Sequence, residues 1–296
     1  MKLATAMYQG KVFIGVKQND QILDLCETSK RLKFDFPYET LQEGIEDGDI
    51  FLQKVNKMMK ETKIKGGVLY PFEDITLLAP IPRPKKNVMC VGKNYALHAI
   101  ELGSKEDIPT ELMVFTKAST AINGPDQPIP LHENVTTMLD YEGELAVIIG
   151  KEVKNIPIEE AMDAVFGYTI MNDITARDLQ TRHKQFFIGK SLDGSAPLGP
   201  VIVTKEDIKN PHQLLIQTKV NGEIRQEANT EQFIFNIPTI ISTLSQGMTL
   251  EPGDIIATGT PAGVGKGMNP PVFLQDGDEI EITIEGVGTL RNEVKR

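Results

Sequence analysis

The stretch MLDYEGELAVIIGK, residues 138–151, joins two patterns that ordinarily stay apart. Leu145 to Ile149 is a continuous apolar run with branched residues, as in a strand buried on both faces. Immediately before and into it come Asp140, Glu142 and Glu144. Side chains alternate along a strand, so these three carboxylates would share one face. Like charges that close repel, and burial would drive one of them to take a proton. A divalent cation relieves the conflict, and an oxygen-only donor set selects a hard ion, Mg²⁺ or Mn²⁺ rather than Zn²⁺. The alternative is an exposed strand end with solvated acids.

Four other stretches bear on that choice. FGYTIMNDITARDLQ (166–180) is a second apolar strand ending in Asn172-Asp173, so Asp173 could bring a third carboxylate to Glu142 and Glu144. Arg177 and Gln180 follow and would share a face of a helical turn. They suit a substrate carboxylate, the Arg bidentately; the other use of Arg177 is pairing with Asp173 or Asp178. In CVGKNYALHAIELG (90–103), a short helix would place His98 beside Glu101, either as a surface pair or as an imidazole held ready to act as a general base on water. Lys190, in FFIGKSLDGSAPLGP (186–200), is either a snorkelling surface residue or a fixed cation aimed at a developing oxyanion. DIIATGTPAGVGKG (254–267) tempts a phosphate-loop reading that fails on spacing, because Lys266 is followed by Gly267 and position 260 is Thr. What remains is either a plain tight connection or a loop whose Thr258, Thr260 and backbone N–H groups could cradle a small anion.

The bulk properties set limits. With 296 residues and 40% hydrophobic content, the chain can build a full core and a smaller second unit. A net charge of −10 argues against a nucleic-acid surface, and the one basic cluster, RPKK (83–86), sits in a proline-rich connector. No apolar run approaches the ~20 residues of a membrane span. The first residues alternate and are broken by Gly10 and Gly15, unlike a signal peptide. Cys26 and Cys90 are too few for a disulfide framework, so a cytoplasmic location is the expectation.

Along the chain, residues 1–78 read as a small α+β domain, with turns at Gln9-Gly10 and Asn19-Asp20 and a helix starting after Asp49 as its N-cap. Prolines at 80, 82 and 84 mark a linker over 79–85. Residues 86–296 are mostly strands, among them a hairpin at Asn221-Gly222, with short helices near 94–102, 157–164 and 238–246. Strands do not alternate with helices. A doubly wound sheet is therefore excluded in favour of a mainly β fold with α (α+β), a mixed β-roll or sandwich.

In this order, VGKNYALHAIE, FTKAST, DYEGELAVIIGK, GYTIMNDITARDLQ, GKSLDGSAPLGP and ATGTPAGVG resemble the fumarylacetoacetate hydrolase family, over about 85–296. The likeness is strongest to short bacterial members with an extra N-terminal domain, several of which act on acylpyruvates or oxaloacetate. The resemblance implies Glu142, Glu144 and Asp173 as metal ligands, with Mg²⁺ or Mn²⁺. It implies His98 and Glu101 as a water-activating dyad on a lid-like helix and Lys190 as the oxyanion-stabilising lysine. Arg177, Gln180, Thr260 and Lys117 match substrate-contacting or lid-adjacent positions, and Asp140 is no ligand in that pattern. Longer eukaryotic members supply a fourth carboxylate where this chain has Val91, which leaves metal positions open to a chelating substrate.

The function so implied is hydrolysis of acylpyruvate-type C–C bonds, water attacking the distal carbonyl while a pyruvate enolate leaves. Oxaloacetate decarboxylation, or isomerisation or dehydration of a related 2-oxo acid, uses the same electron sink. A non-catalytic metal-binding partner protein is the reading from another class. A homodimer is expected from the resemblance alone.

Overall fold

The computed structural model describes all residues 1–296. Its centre is a 12-stranded, mostly antiparallel sheet. Gly143–Ile149 lies in the middle, between Val165–Asn172 and Ile255–Ala257. Beyond Ile255–Ala257 the order continues to Val88–Gly92 and the edge strand Met113–Lys117. On the other side, Val165–Asn172 pairs with Ala196–Thr204, which pairs with Lys2–Tyr8. Residues 1–78 thus extend the same sheet, and segment 79–85 connects the two parts without interrupting it.

A second, five-stranded sheet of Ile129–Pro130, Leu215–Val220, Glu223–Asn229, Glu279–Ile284 and Gly288–Lys295 packs on one face of the first. The apolar run of residues 145–149 is explained by two cores, one on each face. Leu145, Val147 and Ile149 point into the core shared with Ile216, Ile282 and Leu290 of the second sheet. Ala146 and Ile148 point the other way, into a core with Phe51, Val55 and Met58 of the helix Asp49–Lys65. Each large aliphatic side chain buried this way contributes about 1.5–3 kcal/mol, which makes the strand a stiff support.

The expected strands and the hairpin at Asn221-Gly222 are present, and the α+β sandwich architecture stands. Differences are local. The helix Asp49–Lys65 is preceded by Gly48 at the N-cap, with no side-chain cap, so Asp49 lies inside the first turn. Residues 158–164 form a 3₁₀ rather than an α-helix. The strand carrying the acids is not continuous: Leu139–Asp140 pairs separately with Thr175–Ala176, and the main strand restarts at Gly143. No helix is long and apolar enough to cross a membrane.

Candidate active site

The acids converge because of strand register. Gly143 pairs with Asn172, so Glu142 and Asp173 stand opposite each other one step beyond the paired ends. Asp173 N–H donates to Glu142 O at 2.8 Å, and Glu142 N–H donates to the Asn172 side-chain oxygen at 3.1 Å. Glu144 follows at the second residue of the strand. One oxygen from each of Glu142, Glu144 and Asp173 lies within 4.8 Å of the others, and all three residues are buried.

Three buried cations surround this group. Lys190 Nζ lies 2.7 Å from Glu142 and 2.8 Å from Asp173. Arg177 contacts Glu142 at 2.8 Å, and Lys117 lies 2.8 Å from Asp173 Oδ1. Burial alone would raise the Glu142 carboxyl, but Lys190, Arg177 and His98 hold it below the usual glutamate range. Glu144 has no ion pair; its one strong partner is the Gly259 N–H at 2.8 Å. Burial, then the charges of Asp173 and Glu142, push its carboxyl well above the ordinary value. Two carboxylates ~4 Å apart at an effective dielectric constant of ~20 repel by about 4 kcal/mol. Asp173 Oδ1 points the same way: its one neighbouring cation, Lys117 Nζ at 2.8 Å, is out of hydrogen-bond alignment and donates instead to Ile174 O at 2.9 Å. An oxygen-only set with one unneutralised carboxylate and one oxygen short of an aligned donor fits a hard divalent cation.

His98 and Glu101 lie on the helix Ala96–Glu101, with Nδ1 and Oε2 3.2 Å apart. The carboxylate accepts at Nδ1 and so leaves Nε2 as the basic nitrogen. Glu101 Oε1 in turn accepts from the Gly263 N–H at 2.8 Å. The approach to the helix is tied down by Asn94, whose amide donates to Thr258 O and Phe235 O and accepts from Phe235 N–H. Gly263 sits at φ +107°, which favours glycine, and Gly267 lies so near Glu101 that a Cβ there would fall well inside 3.0 Å of its carboxyl group.

Asp140, given no role above, proves to be a fastening point. Fully buried, it accepts from Arg177 Nε at 2.8 Å, Gly265 N–H at 2.8 Å and Lys266 N–H at 3.0 Å. Arg177, expected to hold a substrate carboxylate, therefore spends two of its nitrogens on Asp140 and Glu142. Its Nη2 is buried with no hydrogen-bond partner. Thr260 likewise donates its hydroxyl to Gly143 O and accepts from Gln226.

His98, Glu142, Glu144, Arg177, Gln180, Lys190 and Thr260 line one cavity of about 180 Å³. Glu101 stands behind His98, and Asp173 behind Lys190. Lys117 is placed differently from the substrate contact expected: fully buried against Asp173, it does not line the cavity. Lys190 is also committed, bridging two acids rather than standing free for an oxyanion. Sequence reasoning weighed Lys266 only as a phosphate-loop lysine and passed over Lys93, Phe115 and Phe186; all four also line the cavity. Asp140 had a signal in its two-residue spacing from Glu142, whereas the aromatic residues had none.

The Fumarylacetoacetate (FAA) hydrolase C-terminal profile matches residues 87–295. A relative from Bacillus subtilis (strain 168), the oxaloacetate tautomerase YisK, is 51% identical over 303 residues, covering 99% of this chain and 100% of its own. Among solved structures, a fumarylacetoacetate hydrolase from psychrophilic Exiguobacterium antarcticum superposes with a TM-score of 0.84 at 44% identity, covering 100% of this chain and 99% of that one. A maleylpyruvate hydrolase from Sphingobium sp. SYK-6, in complex with manganese (II) ion and pyruvate, gives 0.79 at 31% identity over 100% and 99%. The profile spans most of the chain and the three relatives match along its whole length, so the chain belongs to the fumarylacetoacetate hydrolase family.

Proposed function

We propose that this chain is a divalent-metal-dependent tautomerase of oxaloacetate-class 2-oxo acids, interconverting their keto and enol forms. The observation that carries this reading is the small cavity lined by Glu142, Glu144 and His98, with Asp173 and Glu101 standing directly behind that lining, taken with the full-length likeness to an oxaloacetate tautomerase. About 180 Å³ is below the ~300–1,000 Å³ of sites for drug-sized ligands and suits a four-carbon acid better than a long acylpyruvate.

Glu142, Glu144 and Asp173 would hold a Mg²⁺ or Mn²⁺, whose Lewis acidity would stabilise the negative charge of a 2-oxo acid's enolate. The proton chemistry belongs to the chain. His98 Nε2 takes a proton from C3, the C–H electron pair becomes the C2–C3 double bond, the C2=O π pair moves onto oxygen, and that oxygen takes the proton back from the His98 imidazolium. The reverse sequence restores the ketone. Glu101 holds the ring in the tautomer that leaves Nε2 basic and supports the imidazolium that forms. Phe115, Phe186 and Leu102 narrow the cavity and limit water, which suits proton transfer without hydrolysis. Lys190 bridges Glu142 and Asp173 and fixes the two carboxylates in place.

Hydrolysis of short acylpyruvates, the first expectation from sequence, becomes the second reading, favoured by the maleylpyruvate hydrolase of similar structure and by a dyad equally able to activate water. A homodimeric, cytoplasmic enzyme completes the proposal, on the family resemblance and the two unpaired cysteines. The test follows enol-oxaloacetate decay, CO₂ release and pyruvate formation from acetylpyruvate in parallel with Mg²⁺ or Mn²⁺. Accelerated enol decay that is lost in Glu142→Ala supports the proposal; faster acetylpyruvate cleavage than enol decay moves the assignment to hydrolysis. No turnover of any of them overturns both.

A further inference from the structure

We propose that Lys266 is the specificity-determining contact for the second, distal carboxylate of the substrate, selecting dicarboxylic over monocarboxylic 2-oxo acids. This rests on the 2-oxo acid reading above and names what that reading leaves open.

The cavity has one lysine whose charge is not committed to an acid. Lys190 is paired with Glu142 and Asp173, Arg177 with Asp140 and Glu142, and Lys93 with Asp107 at 3.3 Å. Lys266 lines the same cavity and makes no ion pair. Its ammonium is only partly shielded, but its backbone is firmly placed. Its own N–H and that of Gly265 donate to the two oxygens of Asp140, and the short turn Gly265–Gly267 carries it. A second donor is left over on the same carboxylate mount. Arg177 Nη2 is buried without a partner, and Asp140 Oδ2 accepts from both Arg177 Nε and the Lys266 N–H. The two cations are therefore mounted on one carboxylate, and each has donor capacity left over. One part of the cavity is acidic and suited to the 2-oxo acid head through a cation; in the part around Lys266 the ammonium makes no ion pair, and the one acid beside it, Asp140, is committed to Arg177 and to the loop amides. A dianionic substrate satisfies both, and a pyruvate-like monoanion satisfies only the first.

The test uses Lys266→Gln and Lys266→Arg in the Mg²⁺-loaded full chain. Steady-state enol decay is read for oxaloacetate, and calorimetric binding is read for oxaloacetate and for pyruvate. Lys266→Gln raises KM and Kd for oxaloacetate by about 10-fold or more, equivalent to ~1.4 kcal/mol per decade. It changes kcat by less than about threefold and leaves pyruvate binding where it was, while Lys266→Arg restores most of the loss. Equal weakening of pyruvate and oxaloacetate, or no weakening of either, overturns the inference. If wild-type protein binds oxaloacetate with this Lys266-dependent preference yet does not tautomerise it, the inference about Lys266 stands and the tautomerase reading falls.

Discussion

Gly267→Ala is the sharpest probe of the dyad, because it reaches Glu101 without touching it chemically. The new methyl would fall well inside 3.0 Å of Cγ, Cδ and Oε1 of Glu101. Gly267 does not have a left-handed φ, so the backbone accepts alanine and the whole effect acts through the clash. Glu101 must swing away, giving up the Gly263 N–H at 2.8 Å, the His98 Nδ1 contact at 3.2 Å, or both. A hydrogen bond to a charged group is worth about 1.5–3 kcal/mol, and the lower end applies because the Glu101 side chain keeps 16% exposure. The loss in activity is larger than the loss in stability. Positioned general bases supply roughly 10²–10⁴ in rate, and a ring released from its carboxylate forfeits a substantial part of that. The expected outcome is a fall in kcat of at least ~10-fold in the enol-decay assay, with KM changing less and thermal unfolding shifting by a few degrees. In a Glu101→Ala background the three atoms nearest the methyl are gone, so the second substitution adds little and the pair is strongly non-additive. Wild-type kcat in Gly267→Ala, or additivity in the double variant, refutes the role given to the latch between the loop and the dyad.

Asp140→Asn leaves Arg177 buried beside an amide and weakens the Gly265 and Lys266 attachments; urea unfolding should show a loss of about 3 kcal/mol, in the range for breaking a buried pair. Glu144→Gln should cut Mg²⁺ affinity by more than ~10-fold by calorimetry while leaving metal-free stability undiminished, because it removes a buried charge with no ion-pair partner. The pH dependence has a definite sign: a carboxyl raised in the folded state binds extra protons there, so metal-free wild type loses stability as pH rises above about 4.5 toward the raised pKa, and Glu144→Gln removes that slope. His212 gives the opposite case. Burial lowers its pKa below 6.5, and neutral Nε2 accepts from the Ile237 N–H at 3.1 Å at the start of the helix Ile237–Ser245. Its contribution is complete above about pH 6.5 and lost as pH falls, and thermal melts of His212→Asn should show a flatter acid limb than wild type.

How far the site was legible depends on whether its parts are local in sequence. His98 and Glu101 are three residues apart on one helix, and their contact follows from helical geometry alone. The strand carrying Glu144 and the strand ending before Asp173 could be read from apolar runs, but only the register Gly143 to Asn172 brings their acids together. The roles of Arg177 and Lys190 were least legible. Their chemistry suggests substrate binding, yet three clustered carboxylates draw those cations in first, a tertiary fact without a sequence signature. Asp140 shows the reverse: set apart as an acid without a purpose, it holds the Gly-rich loop through amides 125 and 126 residues away. Likewise, the prolines at 80, 82 and 84 mark a change of composition, while the pairing of Lys2–Tyr8 with Ala196–Thr204 depends on contacts about 200 residues apart.

The loop of residues 259–266 also determines when the site can come into being. Its amides reach Glu144 across 115 residues, Asp140 across 125 and 126, and Glu101 across 162. As the chain leaves the ribosome, the three acids are made long before their donors. Until residues 259–266 arrive, Glu144, Asp140 and Glu101 lack the amides that fix them. Assembly of the site is therefore a late event in synthesis, and a nascent chain stopped short of residue 259 would lack both this loop and the strands Glu279–Ile284 and Gly288–Lys295 that complete the core on one face of Gly143–Ile149.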